Sequence, residues 1–124
     1  MQVYEYAVIR FVPKVEREEF INIGLLLFSK SKRMLLSRVY LNEEKIKSFE
    51  SEVDYSTLVK YAKAFEQIAN GQKCNNPIST LEVSERFRWL SAVKSSCIQT
   101  SRPHPGLALN MEDEFEKLFV ELVL

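Results

Sequence analysis

Residues 3–12 read VYEYAVIRFV, and this stretch decides the fold. Its aromatic and β-branched residues suit an extended chain. In a strand, Tyr4, Tyr6, Val8, Arg10 and Val12 share one face, and Glu5, Ala7, Ile9 and Phe11 share the other. Both faces are mostly apolar, which puts the strand inside a sheet. Pro13 has no N–H to give to a ladder and ends it.

Working outward, residues 14–19 (KVEREE) form a short, charged, exposed connection. Residues 20–28 (FINIGLLLF) are a second strand, in which Gly24 marks a bulge or a close approach by another group. A polar basic turn, residues 29–33, leads to a third strand at residues 34–40 (MLLSRVY). Connections this short favour an antiparallel meander.

The period then changes. Asn42 caps a short helix holding Ile46 and Phe49. Asp54 caps a longer one, where Leu58, Tyr61, Ala62, Phe65 and Ile68 recur at helical spacing and Asn70-Gly71 makes the stop. Ser79 and Glu82 have the spacing of a capping box for a third helix, with Ser84 as a competing cap. That helix carries Phe87, Trp89 and Leu90, with Trp89 and Phe87 expected in the core. Residues 95–101 (SSCIQTS) predict a polar fourth strand at an edge. Residues 102–106 (RPHPG) contain two prolines, exclude a helix and read as a stiff loop. Asn110 caps a last helix with Phe115, Leu118, Phe119 and Leu122 as its stripe. Glu112, Asp113 and Glu114 occupy its first turn, where the helix dipole favours them. The expected architecture is a single α+β domain over residues 1–124, an antiparallel sheet of about four strands with helices packed on it.

Lys and Arg number 17 and Asp and Glu 17, so the chain lacks the basic excess of a dedicated polyanion binder. Hydrophobic residues at 46% exclude a disordered chain. Cys74 and Cys97 fit neither a disulfide scaffold nor a zinc site. The first residues show no secretory leader, and the apolar stretch at 20–28 is far short of the about 20 residues a bilayer span needs. A cytoplasmic protein with no membrane partner is expected. Gly24, Gly71 and Gly106 cannot build a dinucleotide or phosphate loop, and no cofactor is expected.

Several side chains are candidates for chemistry. Arg10 sits on an apolar strand face and must find a partner or reach solvent. It is an anion-binding group, or it is ion-paired with Glu16, Glu18 or Glu19; pairing is the common fate of such a charge. Those carboxylates could serve acid–base or metal chemistry, but no second acidic element secures a metal site, and a solvated loop explains them as well. Arg86, Lys94, Ser95, Ser96 and Thr100 bring together the cations and hydroxyls that a phosphate needs, or they are a solvated edge strand. His104, between two prolines, is a candidate general base, and Cys97 could pair with it, although a buried inert thiol is the simpler reading. Trp89 and Gln99 complete the set as partner-binding candidates.

Three blocks, residues 6–28 (YAVIRFVPKVEREEFINIGLLLF), 86–90 (RFRWL) and 95–106 (SSCIQTSRPHPG), resemble domain-of-unknown-function family 3037. It comprises small bacterial and phage proteins with no established activity. The resemblance spans nearly the whole chain, and residues 41–77 carry little of it. It implies company with HipA-like kinase domains and an accessory or antitoxin-like role. The expected function is therefore a small interaction module that docks to a protein partner such as a HipA-like kinase. The alternative is a phosphate-handling enzyme or nucleic-acid binder. There Arg10, Arg86 and Lys94 would hold the anion, and Glu18 or Glu19 and His104 would move the proton. Self-association depends on which sheet edge is open, and residue pattern does not give that.

Overall fold

The computed structural model describes residues 1–72, 76–92 and 96–124. Strand β1 (Gln2–Phe11) lies inside the sheet, as its two apolar faces require. It pairs antiparallel with β2 (Ile21–Ser29) on one side, and β2 pairs with β3 (Met34–Val39). On its other side β1 carries two short strands end to end. β4 (Ile98–Thr100) covers Ile9 to Phe11, and β5 (His104–Ala108) covers Gln2 to Tyr6.

β5 corrects the sequence expectation, because RPHPG was read as a loop. Proline is tolerated on an edge strand where its missing N–H points away from the ladder. Between β4 and β5, the Val8 N–H donates to Ser101 Oγ at 2.9 Å and the Ser101 N–H donates to Val8 O at 2.8 Å. The serine hydroxyl thus continues the ladder across the break. Gly106 lies opposite Tyr4, and a Cβ there would overlap the tyrosine ring. The Tyr4 hydroxyl donates to Glu114 of the last helix.

Both readings of Gly24 hold. The register runs Ile9↔Gly24 and then Arg10↔Asn22, so Ile23 is the extra residue of a bulge. A Cβ on Gly24 would stand 2.5 Å from the Arg38 carbonyl oxygen. The bulge also switches faces: Ile21, Ile23, Leu26 and Phe28 point to one side of the sheet, Leu25 and Leu27 to the other.

Among the described residues, four α-helices cover the two sides. α1 (Glu43–Lys47), α2 (Tyr55–Ala69) and α3 (Val83–Leu90) bury Ile46, Leu58, Ala62, Phe87 and Leu90 against Ala7, Ile9 and Phe11. α4 (Met111–Leu122) buries Met111, Phe115, Leu118 and Phe119 against Tyr4, Val8, Leu25 and Leu27. Asn42, Asp54 and Asn110 cap their helices through side-chain acceptors, as expected. The Ser79–Glu82 capping box does not form. Ser79 is buried in a 3-10 turn capped by Asn76, its hydroxyl donates to Asn76 O at 2.9 Å, and α3 starts after Glu82 without a side-chain cap. Ser84 does not cap it either.

Candidate functional site

Arg10 does not make the expected ion pair. Glu19 pairs with Arg17 at 2.6 Å, Glu16 and Glu18 lie exposed on the Lys14–Glu19 turn, and the Arg10 guanidinium lies 4.1 Å from the centre of the Phe20 ring. A cation over an aromatic face gains about 1 kcal/mol at a partly exposed site, which explains why Phe20 stays outside the core. Directly opposed residues of antiparallel strands share a face. Asn22, Arg10 and Gln99 therefore form a row on the α4 side of the sheet. The flanking amides donate elsewhere, Asn22 to Leu122 O and Gln99 to Ser96 O, each at 2.9 Å, while Asn22 Oδ1 and Arg10 Nε are buried without a hydrogen-bond partner.

His104 stands opposite Tyr6 with ring centroids 5.2 Å apart. Tyr6 and Arg10 are four residues apart on one strand, roughly 13 Å at the usual rise. Cys97 neighbours Val12 at the far end of β1, roughly 20 Å from Tyr6 on the same arithmetic, so no Cys–His pair exists. Burial pushes the Cys97 thiol up, which suits an inert side chain.

Arg86 belongs to a different layer. Its Nη1 donates to Leu81 O at 2.7 Å, and its guanidinium packs against Gly71, whose φ of 69° ends α2. Its α3 neighbours Phe87 and Leu90 are buried on the side of the sheet opposite to α4, away from Arg10. Thr100 opposes Ile9 and so faces this α2–α3 side, with its hydroxyl buried, while Ser96 Oγ donates to Ile98 O at 2.6 Å. Lys94, Ser95 and Cys74 lie outside the described residues. Arg10 and Arg86 therefore stand on opposite sides of the sheet, and the Arg86 guanidinium, bonded to Leu81 O, braces the α2–α3 corner. Arg86→Ala should cost about 2 kcal/mol in urea unfolding, since it removes a charged donor from a half-buried carbonyl. An effect no larger than that of Arg88→Ala on the exposed side would refute the brace. Among the described residues no cluster of His, Cys, Asp and Glu could hold a metal.

Trp89 is not core. It is 37% exposed and lines an apolar groove of about 480 Å³ where α2 and α3 meet the end of β1. Tyr61 and Phe65 of α2 form one wall, Val12, Pro13 and Val15 another, and Cys97 and Ile98 lie beside Trp89. Tyr61, at 51% exposed, sits at the margin of the α2 stripe. The signal for the groove was in the sequence but divided: an over-wide stripe on α2, an apolar Val15 in a charged connection, and a tryptophan beside polar residues. A wider recess of about 720 Å³ at the other end of β1, around Val3, Glu5, Phe28 and Lys30, gathers no comparable aromatic wall.

No helix is long and apolar enough to cross a membrane among the described residues. No curated protein and no solved structure matches the chain. A family model described as protein of unknown function (DUF3037) matches residues 6–123, from the middle of β1 through α4. The chain, with its two-sided sheet and its tryptophan-lined groove, belongs to domain-of-unknown-function family 3037.

Proposed function

We propose that the protein is a cytoplasmic interaction module that docks a protein partner in the Trp89 groove. The observation that carries this reading is the groove itself: partly exposed Trp89, Tyr61 and Val15 wall a cavity of about 480 Å³. Buried aromatic anchors in desolvated pockets dominate protein interfaces. The placement of Arg10 and Arg86 on opposite sides of the sheet speaks against the phosphate-handling alternative, which needs both in one cleft. A HipA-like kinase is the partner the family resemblance suggests.

Trp89 is the only tryptophan in the sequence, so its fluorescence reports directly on the groove. Titration with a HipA-like kinase encoded beside the protein should shift the emission to the blue. Trp89→Ala should weaken binding by about 30-fold, the effect of a hot-spot residue near 2 kcal/mol. Binding that leaves the emission unmoved and survives both Trp89→Ala and Tyr61→Ala would remove the groove from the interface.

A further inference from the structure

The two edges of the sheet are not equivalent. On the β4–β5 side, Val12 N–H donates to Cys97 O at 2.7 Å and Ser101 N–H to Val8 O at 2.8 Å. Alternate residues of a paired strand bond inward, so Ile98 and Thr100 of β4 turn their backbone groups outward. The same even-numbered side of β1 faces His104, Gly106 and Ala108, which leaves Pro105 and Leu107 outward. Pro105 has no N–H to offer there, and Ile98 O already accepts from Ser96. This edge is blunted.

The β3 edge has no proline. Tyr40 N–H donates to Ile23 O at 2.7 Å, so even-numbered residues of β3 bond inward and Leu35, Ser37 and Val39 face out. Val39 N–H meets the Glu66 carboxylate of α2. Among the described residues, no hydrogen bond within the chain takes the outward backbone groups of Leu35 and Ser37.

We propose that β3 pairs with β3 of a second copy of this chain, antiparallel about a two-fold axis at Ser37, so that two five-stranded sheets join. In this register Ser37 opposes its own copy and Leu35 opposes Val39, which offers only its carbonyl because Glu66 already holds its N–H.

The flanking helices say why the occupant is a second copy rather than a lone strand. Val59, 39% exposed, lies two turns before Glu66 on the same side of α2. Val120, 58% exposed, lies one turn after Glu116, whose carboxylate accepts from Arg38 of β3 at 2.9 Å. An exposed valine thus borders this edge on each side of the sheet. A peptide strand would leave both in water. A second copy brings α2 beside α2 and α4 beside α4, and covers them.

Light scattering of the full chain over a dilution series tests this. The expected mass is twice 14.5 kDa, falling on dilution. The double variant Val59→Lys with Val120→Lys changes only exposed helix positions. It should keep the circular dichroism of the parent and raise the dimer dissociation constant by about tenfold or more. Ser37→Cys supplies a second readout. Opposed residues of a hydrogen-bonded antiparallel pair have Cα atoms about 5.5 Å apart, within disulfide reach. Oxidation should therefore give a covalent dimer whose linked peptide, identified by mass spectrometry, joins residue 37 to residue 37. A monomer at every concentration overturns the proposal. So does a dimer that the double variant leaves unmoved and that yields no 37–37 link.

Discussion

Gly24→Val should lower stability by about 3 kcal/mol, the upper end of what overpacking costs. The cause is space rather than backbone angle. A Cβ at Gly24 meets the Arg38 carbonyl oxygen at 2.5 Å, Ile9 Cδ1 at 3.0 Å and Val39 Cα at 3.2 Å. Two of these three atoms are backbone, so relief requires β3 to move away from β2. β3 is not free to do so. The Arg38 side chain bonds Glu116 and lies over Phe119 at 4.9 Å, and Val39 meets Glu66. Gly106→Ala offers the contrast, because the atoms it meets belong to the Tyr4 side chain, which can shift at the expense of its bond to Glu114 without moving a strand. Urea unfolding should show Gly24→Ala costing more than Gly106→Ala. The reverse order would mean that the bulge, not the close approach, is what Gly24 supplies.

The second large effect is at Phe87. Its ring is 2% exposed and stacks on Phe28 with centroids 4.9 Å apart, which fixes α3 to β2. Phe87→Ala should cost about 4 kcal/mol, the lost burial plus the cavity left behind. Phe20→Ala removes the same side chain from a half-exposed position over Arg10 and should cost about 1 kcal/mol. Because Trp89 follows two residues later, Phe87→Ala should also redden the tryptophan emission before global unfolding. Equal losses at Phe87 and Phe20 would contradict the assignment of one to the core and the other to the surface.

The sheet was legible because its residues state their surroundings locally. The two faces of residues 3–12 give an interior strand, Gly24 gives the bulge and the close contact, and three cap residues place three helix starts. β5 was not legible, since two prolines describe a loop and an edge strand equally well until the pairing partner is known. Ser79 misled because its hydroxyl could serve Glu82 or its own 3-10 turn, and burial decides between them. The placement of the site candidates was hidden for a different reason. Arg10 and Arg86 are similar in sequence, but the sheet stands between them, and sequence spacing carries no information about which side of a sheet a residue joins. Arg10 was rightly judged to need a partner; the partner is an aromatic ring rather than a carboxylate.

The placement of β1 has a consequence for synthesis. This strand is made well before the residues that close its second side, Ile98–Thr100 and His104–Ala108. While the chain is being translated, β1 can pair with β2 and β2 with β3, yet the other row of amides and carbonyls of β1 has no mate until β4 and β5 are made. Contacts this distant in sequence form slowly, and unpaired strands recruit foreign ones. The nascent protein is therefore most vulnerable to aggregation in the interval before β5 leaves the ribosome, and truncations that stop short of Ala108 should be insoluble rather than partly folded.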